Sequence, residues 1–285
     1  MPIVLAVVLV DRACAGAGVP GDAGIRGVSA AGSGGPGFVY AAGACQAQGP
    51  TGTSRSRTVF IDPGHGGPDP GVTARPSARE SAAALAVATQ LARQLRADGY
   101  RVVLSRTGDT SVRRFGQDEL TDGALDPDQV RQDLQARVRC ANDSRAQALL
   151  SIHFNGYDDE SVGGSQTIYD DARPFSDQSA KLADSVQRAL VEQLRLEDRG
   201  VITDDALDAP TLSDQAASYG HLVLLGPAQA GWLDRGTTMP GVLVEPLFLT
   251  RPAEQTIATS SAGQRRVAQA LAAGLERYLG SVAAQ

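Results

Sequence analysis

Histidine, lysine, cysteine and long apolar runs are all scarce in this 285-residue chain. No stretch approaches the ~18 consecutive apolar residues of a membrane-spanning helix, so a helical membrane protein is excluded. The cysteines number three: Cys14, Cys45 and Cys140. They are too few for a disulfide framework and lack the CxxC spacing of a thiolate zinc site, and one disulfide would leave a cysteine over. Lysine occurs once, at Lys181 within a predicted helix, so no phosphate-binding P-loop is present. No G-x-S-x-G nucleophile elbow occurs. Gly64-His65-Gly66 begins like a dinucleotide loop, but Asp69 stands where the third glycine belongs. Cys140 sits mid-helix beside Arg139 and reads as a packed or surface thiol rather than a nucleophile. The formal net charge of −6 argues against a broad grip on nucleic acid. Only three histidines remain to be placed: His65, His153 and His221.

What is present is an ordinary globular composition, 42% apolar and 20% charged, which excludes wholesale disorder. Pro2–Val10 is an apolar run of the length of a secretory h-region, and Ala13-Cys14-Ala15 has the small residues of a cleavage site. It is atypical: no basic residue precedes the run, and Asp11-Arg12 follows it. Residues 1–15 are therefore expected to be an atypical signal segment. Residues 16–56 are dominated by glycine, alanine, serine and proline and read as a disordered linker. Within them Ala42–Cys45 faintly resembles a lipid-modification box, without the aliphatic residue that usually lies three before the cysteine. One folded domain is expected over 57–281.

In that domain Thr58–Ile61 reads as a buried strand stopped by Asp62-Pro63-Gly64. The spacing of Ala84, Leu85, Ala88, Leu91, Ala92 and Leu95 predicts a helix over 77–98, with Gly99 as its stop. Further strands are expected at 100–104, 148–152, 165–169, 221–225 and 242–249. Further helices are expected after the Asp126-Pro127 cap and over 176–196 and 262–279. Strands alternating with helices imply a single α/β domain, with a twisted, mostly parallel sheet of about six strands flanked by helices on both faces. Residues 113–128, 204–219 and 227–239 read as long surface loops.

Ligands gather at the carboxyl ends of strands in such sheets. His65 follows the first strand, His153 follows the strand at 148–152, and Glu245 interrupts an otherwise apolar strand. Each histidine alone could be a turn or core residue. Glu80 has a local explanation too, since Ser77-Ala78-Arg79-Glu80 spells a capping box. Glu245 is the hardest to explain blandly, because an ionised carboxylate buried in a strand is costly unless paired. His221 reads as structural or as part of a substrate loop rather than as a metal ligand. Taken together, two imidazoles and one carboxylate suit a single catalytic Zn²⁺ ion with an open position for water. Such a site needs a further carboxylate to move the proton. His65, Glu80 and His153 fit as ligands and Glu245 as the acid/base.

Phe60–Gly67 with Asp69-Pro70-Gly71 resembles the opening signature of the zinc-dependent N-acetylmuramoyl-L-alanine amidases. Glu80 lies where that family has its glutamate ligand, at the head of a long helix. Ser105-Arg106-Thr107 with Asp109, Arg137 with Ala141-Asn142, Leu150–Asn155, Gly163-Gly164, Arg199–Val201 and Val242–Glu245 with Phe248-Leu249 continue the resemblance in order. It covers about residues 57–281. The resemblance implies a secreted or cell-envelope hydrolase that cleaves the amide between N-acetylmuramic acid and L-alanine of the peptidoglycan stem peptide. It implies His65, Glu80 and His153 as zinc ligands and Glu245 as the catalytic carboxylate. A monomer is expected, with peptidoglycan as its partner and any regulatory protein unspecified. Leu247 stands where the family usually has glycine, Pro246 precedes it, and Thr250-Arg251 replace a common asparagine. Two alternatives follow: a catalytically impaired wall-binding module of the same fold, or a zinc peptidase cutting another amide.

Overall fold

The computed structural model describes residues 38–207 and 218–282. The expected signal segment, 1–15, lies outside these residues. Nine strands are named in chain order: β1 (Ala44–Gln48), β2 (Thr58–Pro63), β3 (Thr73–Arg75), β4 (Ala78–Arg79), β5 (Arg101–Arg106), β6 (Ala148–Ile152), β7 (Ser165–Tyr169), β8 (Asp198–Thr203) and β9 (Gly241–Glu245). The helices are α1 (Glu80–Ala97), α2 (Pro127–Ser144), α3 (Ser176–Leu194), α4 (Pro252–Thr259) and α5 (Ser261–Val282).

Seven strands form one sheet in the order β1-β5-β2-β6-β9-β7-β8, while β3 and β4 pair apart as a small hairpin. The central strands β5, β2, β6 and β9 are mutually parallel. β1 and β7 run against their neighbours β5 and β9, and β8 is parallel to β7. Residues alternate between the two faces of a strand, so each strand feeds two cores. Val59, Ile61, Val102, Leu104, Leu150, Val242 and Val244 pack towards α1, α3 and α5. Phe60, Val103, Leu149 and Leu243 face the other way, towards α2 and the run Leu222–Leu225. The parallel strands are buried on both sides, which explains their nearly continuous apolar sequences.

The expected α/β class holds, with differences of detail. The sheet has seven strands rather than about six. Residues 221–225 are not a strand but a buried turn that covers one sheet face. A short apolar run cannot by itself distinguish the two. β8, exposed or half-buried along its length, was hidden by its polar sequence. β1 lies inside the stretch expected to be linker, so that expectation fails for residues 44–48. The physical reason is a constraint invisible in composition: Cys45 on β1 is disulfide-bonded to Cys140 on α2. This corrects the reading of Cys140 as a free thiol and removes Cys45 as an acylation site.

At α2 the Asp126 side chain accepts from Gln129 N (2.8 Å) while the Gln129 side chain returns to Asp126 N (2.9 Å), as the sequence predicts. At α1 the predicted box fails. Residues 78–79 are taken by the hairpin with β3, so the helix begins at Glu80 and its N-cap, Arg79, makes no side-chain cap. Glu80 is thereby freed for another role.

Candidate active site

The carboxyl ends of β2, β6 and β9 lie side by side, because these strands are adjacent and parallel. His65 follows β2, His153 follows β6, and Glu245 closes β9. Glu80 enters from the head of α1, whose N-terminal end favours a carboxylate.

Three of the four converge. His65 Nε2 lies 3.0 Å from Glu80 Oε1, His153 Nδ1 lies 2.9 Å from the same oxygen, and the two ring nitrogens are 3.2 Å apart. The backbone makes room for this. A Cβ on Gly64 would stand 2.3 Å from the His153 ring, and one on Gly71 would stand 2.6 Å from both Glu80 Oε2 and the His65 ring. Small residues are obligatory where side chains must meet over backbone.

Each member is held from behind. Glu80 Oε2 accepts from Val72 N (2.9 Å) and Oε1 from Phe154 N (3.0 Å), so its carboxylate is anchored by backbone outside its own helix. The far nitrogen of His65, Nδ1, lies 2.8 Å from Asp69 Oδ2. The Arg137 guanidinium donates to the carbonyls of Pro63 (2.9 Å) and His65 (2.6 Å). Arg106 donates to those of Pro63 (3.0 Å) and Gly64 (2.7 Å). Two buried arginines thus fix the loop that carries His65 by its carbonyl oxygens.

The electrostatics follow from this crowding. Burial alone would push Glu80 up, but the facing His65 and the contacts from both imidazoles outweigh it and hold the carboxyl well below its ordinary range. Burial alone would lower His65, yet Asp69 and Glu80 together raise it well above an ordinary imidazole. Glu245 goes the other way. It is 2% exposed and among the described residues its Oε2 has no hydrogen-bond partner. Burial first, and the Glu80 charge second, raise it well above an ordinary glutamate. Carboxyl groups pushed in opposite directions at one site are a common sign of divided chemical roles.

A metal ion suits this place on the donor set alone. Two imidazole nitrogens and a carboxylate oxygen aim at one point, and an acidic residue orients the outer nitrogen of His65, as outer partners of metal-bound histidines do. The loop after Glu245, where Leu247 and Thr250 depart from the resembled pattern, is well secured. Asn155 N donates to the Leu247 carbonyl (3.1 Å), Leu249 N donates to that of Asn155 (2.8 Å), and Tyr157 N donates to Thr250 Oγ1 (3.0 Å). It is thereby tied to the segment that carries His153.

The structure therefore gathers His65, Glu80, His153 and Glu245 at one sheet edge. His221 is not among them: its Nδ1 lies 2.8 Å from Oδ2 of Asp170, which follows β7, and β7 runs against β9. The sequence reading missed the pairing of Asp69 with His65 and the grip of Arg106 and Arg137 on the loop. All three residues stand in the motif segments, but nothing in their spacing tells what they touch.

A family profile described as N-acetylmuramoyl-L-alanine amidase matches residues 59–277. The N-acetylmuramoyl-L-alanine amidase AmiC of Neisseria meningitidis serogroup B is 28% identical over 244 residues, covering 79% of this chain and 53% of the relative. The N-acetylmuramoyl-L-alanine amidase LytC of Bacillus subtilis is 30% identical over 221 residues, covering 78% of this chain and 35% of the relative. The chain thus spans about half the length of one relative and about a third of the other. Among solved structures, the N-acetylmuramoyl-L-alanine amidase of Clostridium difficile 630 superposes with a TM-score of 0.56 at 28% identity, covering 80% of this chain and 99% of that one.

Proposed function

Because the chain belongs to the N-acetylmuramoyl-L-alanine amidase family, we propose that it hydrolyses the amide joining N-acetylmuramic acid to the L-alanine of the peptidoglycan stem peptide. The observation that carries this reading is the convergence of His65, Glu80 and His153 beside a buried carboxyl, Glu245, whose affinity for protons is raised. His65, Glu80 and His153 would hold one zinc ion. When bound, the ion supplies a Lewis acid that makes water acidic near neutral pH and polarises a carbonyl oxygen.

The chain's own groups do the rest. Glu245 takes the proton of the attacking water and delivers it to the departing amine nitrogen, and its raised proton affinity suits both halves of that task. Asp69 holds Nδ1 of His65, so that Nε2 faces the site with its lone pair. Two backbone N–H donors hold the Glu80 carboxylate in place, and the two imidazoles keep it charged. Arg106 and Arg137 prevent the loop between β2 and the hairpin from drifting as substrate enters.

An envelope or extracellular location is part of the proposal. The polymer lies outside the cytoplasmic membrane, and a disulfide between Cys45 and Cys140 is the kind of bond that persists in oxidising compartments. Among the described residues, no helix is long and apolar enough to cross a membrane.

Purified, zinc-loaded protein is expected to release free stem peptides from isolated peptidoglycan. Glu245→Ala is expected to abolish release while retaining zinc. Wall binding without product, unchanged in Glu245→Ala, would instead identify a binding module. Products cut within the peptide would identify a peptidase.

A further inference from the structure

A second cluster stands at the other end of the sheet. β7 pairs antiparallel with β9 in a register that sets Gln166 opposite Glu245, Thr167 opposite Val244 and Ile168 opposite Leu243. The carboxyl end of β7 therefore points away from the candidate active site, and β8, parallel to β7, ends with it. Asp170 follows β7 and Asp204 follows β8. His221 comes from the turn that covers the α2 face of the sheet.

His221 Nδ1 lies 2.8 Å from Asp170 Oδ2 and 3.6 Å from Asp204 Oδ1. Asp170 is 2% exposed and Asp204 0%. All three of these atoms are shielded from solvent, and among the described residues none has a hydrogen-bond partner of acceptable geometry. The other oxygens of the two carboxyls are engaged, Asp170 Oδ1 accepting from Ala172 N (3.0 Å) and Asp204 Oδ2 from Leu222 N (2.8 Å). Each carboxyl is thus pinned by backbone on one side and aims a free oxygen at the same small volume as the imidazole nitrogen. Buried carboxylate oxygens without partners are costly, and a facing pair is costlier still. The neighbouring cation does not answer the need. Arg173 Nη1 donates to the carbonyls of Leu225 (2.6 Å) and Gly226 (3.1 Å) and to Thr237 Oγ1 (3.0 Å).

We propose that Asp170, Asp204 and His221 form a second divalent-cation site, which takes a first-row transition-metal ion such as Zn²⁺ and fastens the 219–225 turn to the ends of β7 and β8. Two oxygens and one imidazole nitrogen are a donor set for such ions, whereas calcium takes six or more oxygens. Ligand atoms bonded at 2.0–2.2 Å stand about 2.8–3.6 Å apart around a tetrahedral or octahedral ion. The two observed contacts, 2.8 and 3.6 Å, bracket that range closely. The imidazole is also pre-set. Its ring packs edge-on against Tyr219, with centroids 5.3 Å apart, and Tyr219 stacks on Trp232 and donates to the Pro227 carbonyl (2.6 Å). The ion's role here is to hold structure. The turn that it fastens carries Leu222, Val223, Leu224 and Leu225 into the second core.

The test is metal stoichiometry on the full chain, stripped with chelator, reloaded with Zn²⁺, freed of excess ion and analysed by plasma mass spectrometry. Two equivalents are expected in the wild type, and one each in His221→Ala and His153→Ala. His221→Ala is expected to retain peptide release. A single equivalent in the wild type, unchanged in His221→Ala, overturns the proposal. Because His221→Ala could fail to fold, anomalous scattering at the zinc edge from wild-type crystals gives a second reading. A peak among Asp170, Asp204 and His221 supports the site, and its absence at saturating zinc overturns it. Failure of the catalytic reading would show separately, as zinc held at this cluster and absent from His65, Glu80 and His153.

Discussion

His65 has a backbone φ of +56°, in the left-handed region that residues with a Cβ seldom occupy. The strain is sustained by Arg137, which grips the His65 carbonyl, and by Asp69, which grips its ring. Asp69 is itself held below an ordinary aspartate: burial would raise it, but the His65 charge and its contact outweigh that. Asp69→Asn keeps the shape and removes the charge. It is expected to weaken zinc binding at the candidate active site about 10- to 100-fold, the usual effect of losing an outer partner, measured by competition with a chromogenic chelator. A raised His65 also fixes the sign of the pH response. Below its raised pKa the imidazole carries a proton that the metal must displace, so the apparent affinity should fall as the pH falls through that value, by about tenfold per unit for one proton. Calorimetric titrations in buffers of different ionisation enthalpy would count the protons released; affinity independent of pH would contradict the argument. The convergence of His65, Glu80 and His153 was legible at this scale, because strand ends and rare histidines can be read from a sequence. Asp69 as a partner was not, because its contact depends on the tight turn that His65 makes.

At the scale of elements, α2 acts as a clamp. Arg137 on its inner face reaches Asp62 (2.8 Å) at the end of β2 and Asp133 (2.9 Å) one turn back, while Asp133 also accepts from Val112 N (2.6 Å) and Arg113 N (2.8 Å). The Arg137–Asp133 pair thus joins a helix, a strand end and the segment after β5. Burial would raise Asp62, but the Arg137 charge and a hydroxyl contact from Ser151 (2.7 Å) hold it below an ordinary aspartate. A depressed folded pKa means that its stabilisation is full above the unfolded value of about 3.9 and is lost as the pH falls through the folded value. Asp62→Ala leaves a buried guanidinium short of one partner and should cost about 3 kcal/mol at neutral pH. Urea unfolding should show that deficit shrinking under acid conditions; a deficit independent of pH would place the loss in packing instead. The amphipathic helices were readable from their periodicity, and α2 from its cap as well. The start of α1 was misread because a capping box is a local signal, and here a hairpin partner six residues upstream outcompetes it. β8 was missed for a related reason: an edge strand need not be apolar.

On the scale of the whole molecule, the sheet is asymmetric in what its two ends do. One end carries the candidate active site and the other the Asp170–Asp204–His221 cluster, because a single reversal of strand direction between β9 and β7 separates them. The far edge of the sheet is closed by β1, which lies against β5 and is bonded to α2 through Cys45 and Cys140. That bond closes a loop of 95 residues containing β2, α1 and β5, and with them His65, Glu80 and Arg106. Chain-entropy arguments give such a closure about 4–5 kcal/mol, most of it exerted on the unfolded state. For a domain of this size about 1 kcal/mol moves the unfolding midpoint by ~2–4 °C. Cys45→Ser with Cys140→Ser, or the wild type under dithiothreitol, should therefore melt on the order of 10 °C lower by differential scanning calorimetry. Because neither cysteine belongs to the His65–Glu80–His153 cluster, peptide release at low temperature should survive the change. A collapse of activity with no change in melting would show instead that β1 positions β5, and through Arg106 the His65 loop, in the native state. Composition could not reveal this arrangement: a stretch rich in glycine and alanine lacks the apolar area to order itself, and here a covalent partner 95 residues away supplies what the sequence around it does not.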